Sequence, residues 1–405
     1  MNKLRIDDIH VENGTRLLFS YTVTGEWEKC FTSRRTSFIE YDIDISEVPV
    51  PVLAVPFVGN ALPAAFVCDA VIEAESLDKD LADSVDAIRE GFSRMFPMMK
   101  LGGAVEASKT ISAEHRDRNG AACFFSGGLD ANTTLLRHLE EKPSLISIWG
   151  VDVKTDDPEG WLRSGSFIGK TAEQFGIMSH MVKSDFREVF SEPELDQYIQ
   201  ATGDRWWHGF QNGIAVITHA APMAYVFGWD KVYFASTYSA DMVGHYTCGS
   251  DPLIDNNIHF AGCSVVHDAF ELNRQQKTEF VVNKCKESGR PVHIRVCWES
   301  RGGNNCCRCE KCYYTILGLI AEGADPNEFG FTWDKDAIAR CRKDLTRKIT
   351  MEEYYFRPVQ KRMNENKAKI KDIGDYQWFL DLDIADANKA LYKRFRNSRL
   401  HDLFN

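Results

Sequence analysis

The sequence has no window approaching the roughly 18 uninterrupted apolar residues that a membrane-spanning helix needs. Its opening, MNKLRIDDIHVENG, carries no apolar core of the kind found in a secretory leader. A cytoplasmic protein without a membrane partner is therefore expected. There is no basic surplus either, since 48 Lys and Arg stand against 59 Asp and Glu, a formal charge of −11. Attraction to phosphate backbones needs clustered cations, so a broad basic nucleic-acid interface is disfavoured and a small or locally recognised substrate is expected. The chain has no GxxxxGK[ST] loop and no GxGxxG turn between a strand and a helix, which leaves Walker-type kinase and dinucleotide readings without support. It has no repeat of fixed period and no low-complexity tract. What it has is ordinary globular usage, 44% apolar and 26% charged over 405 residues, enough for two or three domains at roughly 100–200 residues each.

Residues 1–118 read as a separate α+β module. Leu17 to Trp27 and Ser37 to Ile45 supply strands; in the second, Ile39, Tyr41, Ile43 and Ile45 alternate with Glu40, Asp42 and Asp44, as one wet face requires. Leu77, Leu81, Val85, Ile88, Phe92 and Met95 follow at helical spacing and form one apolar stripe, stopped by Pro97. The polar stretch from Gly102 to Gly120 reads as a linker. From Ala121 short buried strands alternate with helices, the order that builds a parallel sheet with right-handed crossovers. Ala121 to Phe125, Leu145 to Val151 and Lys231 to Ala235 are the strands. Ligands in such sheets sit beyond the carboxyl ends of the strands, which makes Ser126, Asp152 and Ser236 candidates for a nucleotide pocket. This α/β domain is expected over 119–330. Residues 331–405, with charged helical stretches at Asp334 to Lys348 and Met351 to Ile370, read as a helical tail serving as a lid or packing appendage.

The stretch AACFFSGGLDANTTLLRHL places Ser126-Gly127-Gly128 directly after a strand and Asp130 at the mouth of a helix. Adjacent glycines permit positive φ and gather successive N–H groups into an anion-binding concavity. The helix N-terminus adds partial positive charge, and Ser126 adds a hydroxyl. The bland alternative is a tight corner with Asp130 capping the helix. Ser-Gly-Gly-x-Asp after a buried strand resembles the signature of the PP-loop ATP pyrophosphatases, the adenine nucleotide alpha hydrolase-like superfamily of HUP-like α/β folds, which cleave ATP between its α and β phosphates. The usual continuation is SGGxDS or SGGxDT. Ala131 replaces that hydroxyl here, and Thr133 or Thr134 is a candidate for a neighbouring contact.

Cys297, Cys306, Cys309 and Cys312 are spaced C-x8-C-x2-C-x2-C in CWESRGGNNCCRCEKC. Five cysteines in these sixteen residues are hard to explain by packing, and four thiolates around a Gly-rich connection suit a tetrahedral ion. Zn²⁺ is the default guest, an iron–sulfur cluster would use the same ligands, and Cys307 is left over. The same spacing downstream of a PP-loop resembles 7-cyano-7-deazaguanine synthase, in which such cysteines hold a structural zinc. The runs DPLIDNN, VVHDAFELNRQQK and RCEKCYYT are similar to the ATP-dependent epimerases that act on the UDP-MurNAc-L-Ala-L-Glu of peptidoglycan synthesis. Both resemblances imply activation of a substrate carboxylate as an acyl adenylate.

Such a reaction has to place two anions together and neutralise developing charge. Arg274 and Lys277, three residues apart, would share a helix face and supply cations; the alternative is a solvated helix face. Mg²⁺ is expected on the phosphates, with Asp130 as a direct or water-mediated ligand or else a plain N-cap. His267 and Asp268 are candidate acid–base groups if the adenylate is epimerised, because acylation acidifies the α-hydrogen. Asp241, His245, Asp251 and Asp255 form a polar loop from which sequence does not choose. The Trp206-Trp207 block reads as core packing. The adenylate could be epimerised or attacked by a nitrogen nucleophile to give an amide or nitrile. The additional front and tail segments favour a larger substrate than a nucleobase, such as a nucleotide-linked peptide or a protein terminus. Sulfur transfer to tRNA is disfavoured by the acidic charge. A non-catalytic nucleotide-binding scaffold stays open because of Ala131, and a homo-oligomer is left open.

Overall fold

The computed structural model describes residues 2–113, 119–297 and 304–404. It is an α/β protein whose eleven strands form one mostly parallel sheet in the order β10-β11-β9-β6-β7-β8-β3-β2-β1-β4-β5. The strands are β1 (Asn2–Glu12), β2 (Arg16–Thr24), β3 (Thr36–Tyr41), β4 (Ala70–Asp78), β5 (Ala104–Ile111), β6 (Gly120–Phe124), β7 (Ser144–Trp149), β8 (Ser179–Ser184), β9 (Trp229–Ala235), β10 (His259–Phe260) and β11 (Cys263–Asp268). Two compact units result. One contains Met1–Phe125, Arg137–Pro158 and Ile168–Phe270, and so holds the entire sheet; the other contains Ser126–Leu136, Glu159–Phe167 and Glu271–Asn405.

β6, β7 and β9 are the parallel strands expected after Ala121, and β8 and β11 are two further strands parallel to them. Their apolar side chains are buried because helices cover such sheets on both faces. Read in chain order they lie 5-4-1-2-3, so the winding reverses between β6 and β9. That switch point is where an open α/β sheet leaves a crevice at its strand ends. The chain leaves β6 directly into Ser126-Gly127-Gly128.

The N-terminal strands do not make a sheet of their own. β3 pairs antiparallel with β8, Ile39 facing Ser184 and Tyr41 facing Val182, so the first half of the chain extends the same sheet. The linker expected over Gly102 to Gly120 is also corrected. Residues 104–111 are β5, hydrogen-bonded in parallel to β4 from Val71 with Ala104 to Asp78 with Ile111, while 114–118 lie outside the described residues. β5 is the sheet edge and largely exposed, so its Glu106 and Lys109 meet water; charged residues are usual there. β2 ends at Thr24 and Trp27 falls in a 3₁₀ turn, Glu26–Cys30. β3 stops at Tyr41, after which the Asp42 carboxylate accepts the Met181 N–H at 2.9 Å.

The expected amphipathic helix is Lys79–Met95, with Leu81, Val85, Ile88 and Phe92 buried. It starts after Leu77, because Leu77 belongs to β4 and Asp78 caps the helix, accepting from Leu81 N–H. A second helix, Val55–Cys68, is buried almost all round. A Cβ on Gly59 would come within 2.4 Å of Thr218 Cγ2, so the glycine is what admits close packing there. In the second unit, helices Lys335–Arg347 and Glu353–Glu365 realise the charged tail stretches. Phe356, Val359 and Met363 are buried, and Arg362 pairs with Glu322 and Glu279. The tail thus supplies core to its own unit, the packing role of the two envisaged.

Candidate active site and metal centre

The loop after β6 bends at Gly127, whose φ of +75° is the left-handed conformation glycine adopts without strain. Its N–H groups and carbonyls are organised by neighbours. Gly128 N–H donates to Ser126 Oγ at 3.3 Å, and Arg295 N–H donates to the Gly127 carbonyl at 2.8 Å. Asn132 Nδ2 reaches the carbonyls of Gly127, Gly128 and His293 at 3.1, 2.9 and 3.2 Å. Ser126 itself is exposed. Asn132 is a positioning residue that spacing did not single out. Ala131 is buried, as is Thr133, whose hydroxyl donates to the Leu129 carbonyl at 2.9 Å. The ligand contact expected of Thr133 is thereby corrected: its hydroxyl is spent within the helix Leu129–Arg137.

Asp130 lies in the first turn of that helix, and its carboxylate binds Arg274 through one oxygen and Lys277 through the other, the latter at 3.3 Å. The two cations come from helix Arg274–Ser288, which opens with an Asn273–Gln276 capping box. Lys277 is 1% exposed and Arg274 9%, which excludes the solvated-face alternative. Burial alone would raise the Asp130 carboxyl, but the charges of Arg274 and Lys277, with Lys311 adding to them, hold it at about 2. Arg274 also lies 5.5 Å from the centre of the Tyr314 ring. Arg274, Lys277 and Lys311 thus all act on the Asp130 carboxylate, in the first turn of the helix that follows the Ser126 loop. Because both Asp130 oxygens are engaged, Asp130 fits the part of anchor for these cations better than that of a Mg²⁺ ligand or simple cap.

Cys297, Cys306, Cys309 and Cys312 form a cluster in the same unit, with all four Sγ atoms within 4.8 Å of one another. Cys297 to Cys309 and Cys306 to Cys312 are each 3.9 Å, close to the edge of about 3.8 Å that four Zn–S bonds of about 2.3 Å imply. This group can hold a metal ion. Cys309 is the N-cap of helix Glu310–Ala321 and Cys312 lies in its first turn, where the helix dipole favours thiolates. Asn305 ties the arms together: its Oδ1 accepts Val296 N–H, and its Nδ2 donates to Ile294 and Gly330 carbonyls. Cys307 is turned away, with φ of +54° and its sulfur accepting Thr332 N–H at 3.3 Å. Residues 298–303 of the motif lie outside the described residues.

In the sheet-bearing unit the polar loop resolves into a specific pair. Asp251 caps the short helix Pro252–Asp255, and Asp255 Oδ2 faces His267 Nδ1 at 2.8 Å, with Ser250 Oγ donating to the same oxygen at 2.6 Å. Asn256 Oδ1 takes the His267 N–H. Both side chains are fully buried, and His267 Nε2 has no hydrogen-bond partner. With the Nδ1 proton facing Asp255, Nε2 keeps a lone pair that is enclosed in the protein. Asp268 does not share in this. Strand neighbours point to opposite faces, and Asp268 instead meets Arg137 Nε at 3.3 Å and His138 Nε2 at 3.1 Å. The two candidate acid–base groups, His267 and Asp268, therefore have separate partners: Asp255 for the first, Arg137 and His138 for the second. Ser236 is buried and donates to the Tyr238 carbonyl, while Asp152 is exposed in the turn after β7. Trp206 is buried and stacks on Phe210 at 5.6 Å.

No protein-family model matches the chain, and no curated protein matches it. Among the described residues no helix is long and apolar enough to cross a membrane.

Proposed function

We propose that this protein is an ATP-dependent enzyme that adenylates a substrate carboxylate. A carboxylate oxygen attacks the α-phosphorus of Mg-ATP, the bond to the β-phosphate oxygen breaks, and pyrophosphate leaves. The observation that carries this reading is the buried Arg274–Asp130–Lys277 cluster under Ser126-Gly127-Gly128. Two buried cations held by a carboxylate beside an anion-binding turn are the groups a bound phosphate would use. Ser126, Gly127 and Gly128 receive the pyrophosphate end. Mg²⁺ accompanies the ATP phosphates. The four cysteines hold zinc in a structural role, since four protein ligands leave no open position for chemistry.

The buried Asp255–His267 pair favours epimerisation over amide or nitrile formation, because moving an α-proton needs an oriented base and nitrogen attack on an adenylate does not. A nucleotide-linked peptide ending in glutamate is the substrate class proposed, with a nucleobase carboxylate or protein terminus as the alternative. The test is ³¹P NMR of Mg-ATP with UDP-MurNAc-L-Ala-L-Glu and, separately, 7-carboxy-7-deazaguanine. AMP and pyrophosphate dependent on one of them is the expected result. ADP and phosphate would contradict it, and nucleotide binding without turnover on any carboxylate would favour a scaffold.

A further inference from the structure

The segment between β8 and β9 carries a second carboxylate–histidine pair, made of residues that the proposed reaction has not used. Residues Trp207–Gln211 form a π-helical turn, a geometry frequent at functional sites. His208 Nδ1 lies 2.8 Å from Asp204 Oδ1, and His208 Nε2 lies 3.0 Å from the Tyr238 hydroxyl. Asp204 is fixed in turn by Arg205 N–H at 2.7 Å and by the Thr247 hydroxyl at 2.8 Å. With the Nδ1 proton on Asp204, Nε2 accepts the phenolic proton. The ring of Tyr238 stacks on Tyr246 at 5.5 Å, and Tyr246 is 45% exposed, so the end of this chain lies at the surface.

The backbone is shaped to allow the contact. A Cβ on Gly249 would fall 2.6 Å from the Asn212 carbonyl oxygen. One on Gly213 would fall 2.5 Å from the Gly249 carbonyl oxygen, and one on Gly209 would fall 2.9 Å from Asp204 Oδ2. Only glycine at these positions lets the loop after β9 seat on the π-turn and bring Tyr238 to His208.

We propose that Tyr238 is a second proton-transfer group, activated by Asp204 and His208 as positioning residues. The phenolic proton passes to His208 Nε2, the imidazolium is stabilised by Asp204, and the phenolate oxygen takes a proton from a substrate C–H; the reverse sequence returns it. β9, which Tyr238 follows, pairs in parallel with β11, which carries His267. The proton transfer from substrate rests on the acyl-adenylate reading, whereas the activation of Tyr238 does not.

An aryl sulfonyl fluoride tests the activation without substrate: a phenolate oxygen bonds to sulfur and fluoride leaves. Peptide mass spectrometry of the intact protein is expected to show Tyr238 modified at least about tenfold faster than Tyr392, an ordinary tyrosine that is 68% exposed. Asp204→Asn and His208→Gln should each bring Tyr238 down to the rate of Tyr392 while Tyr392 itself is unchanged. Equal rates in the wild type, or a Tyr238 rate that survives both substitutions, overturns the proposal. In D₂O with Mg-ATP and UDP-MurNAc-L-Ala-L-Glu, Tyr238→Phe should retain pyrophosphate release and lose deuterium uptake at the α-carbon. Uptake at the wild-type rate overturns the role of Tyr238; no pyrophosphate from the wild type overturns the adenylation reading instead.

Discussion

Asp130 and Asp255 are both aspartates beside a basic partner, yet their surroundings are opposite. Asp130 has one oxygen on Arg274 and the other on Lys277. Asp255 uses one oxygen for His267 and Ser250 and leaves the other, like His267 Nε2, without a partner. The first carboxylate keeps its charge at any working pH and serves to hold two cations in place. The second orients an imidazole whose remaining nitrogen is buried without a hydrogen-bond partner. The two neighbourhoods teach that an aspartate's role is set by how many of its oxygens are occupied and by what, which residue type alone does not reveal.

The sharpest way to separate the two neighbourhoods is to break the cysteine cluster proposed to hold zinc. In Cys312→Ser, elemental analysis should find well under one metal per chain, and hydrogen exchange should speed up in helix Glu310–Ala321 while β9 and β11 keep their protection. Structural zinc contributes on the order of 10 kcal/mol in small domains. Equal loss of protection in both units would join what the contrast separates. Next in size is Lys277→Met, which keeps the volume and removes the cation from one Asp130 oxygen. Breaking a buried ionic cluster costs about 3–5 kcal/mol, and pyrophosphate release should fall by about 10²–10³-fold; urea midpoints and turnover read the two effects. Wild-type turnover would make these cations purely structural.

His267→Gln should act on the other site. Pyrophosphate release is expected to stay near wild type, while α-proton exchange falls by about 10²–10⁴-fold. Parallel loss of both would assign the pair to adenylation. The smallest effect concerns pH and compares Asp130 with another buried aspartate, Asp78. Burial raises the Asp78 carboxyl to about 6, although it accepts N–H bonds from Ala261 and Leu81. Against an unfolded value of about 3.9, folded Asp78 binds a proton that the unfolded chain releases, so its contribution to stability falls as pH rises from about 4 to 6. Asp130, at about 2, does the reverse: its contribution is complete above about pH 4 and is lost as pH falls toward 2. Urea midpoints across this range should lose the first slope in Asp78→Asn and the second in Asp130→Asn, each a change of roughly 2 kcal/mol.

Legibility followed sequence separation. The cysteine cluster could be read because three of its ligands lie within seven residues and the fourth is nine residues before them. The strands from Ala121 could be read because a parallel strand buried on both faces leaves an apolar run. β5 could not, because an exposed edge strand needs no apolar face and resembles a linker in composition. Asp255 could not be chosen from four polar residues of one loop, since the choice depends on the backbone of Asp251–Pro252 turning its side chain toward a residue twelve positions away. Asn132 and Asn305 escaped for a related reason: they bind backbone carbonyls, and a carbonyl has no signature in sequence.

By itself, the sequence determined the buried parallel strands, the glycine turn after β6, the helix stripe before Met95 and the cysteine spacing. Each of these is a local pattern whose period or spacing is dictated by covalent geometry. Tertiary structure alone decided that β3 would join β8, that Arg274 and Lys277 would both reach Asp130, and that His267 would pair with Asp255 and not with its neighbour Asp268. Those outcomes depend on which distant groups share a buried volume, where an unpaired charge or donor is costly and the available partners are set by packing.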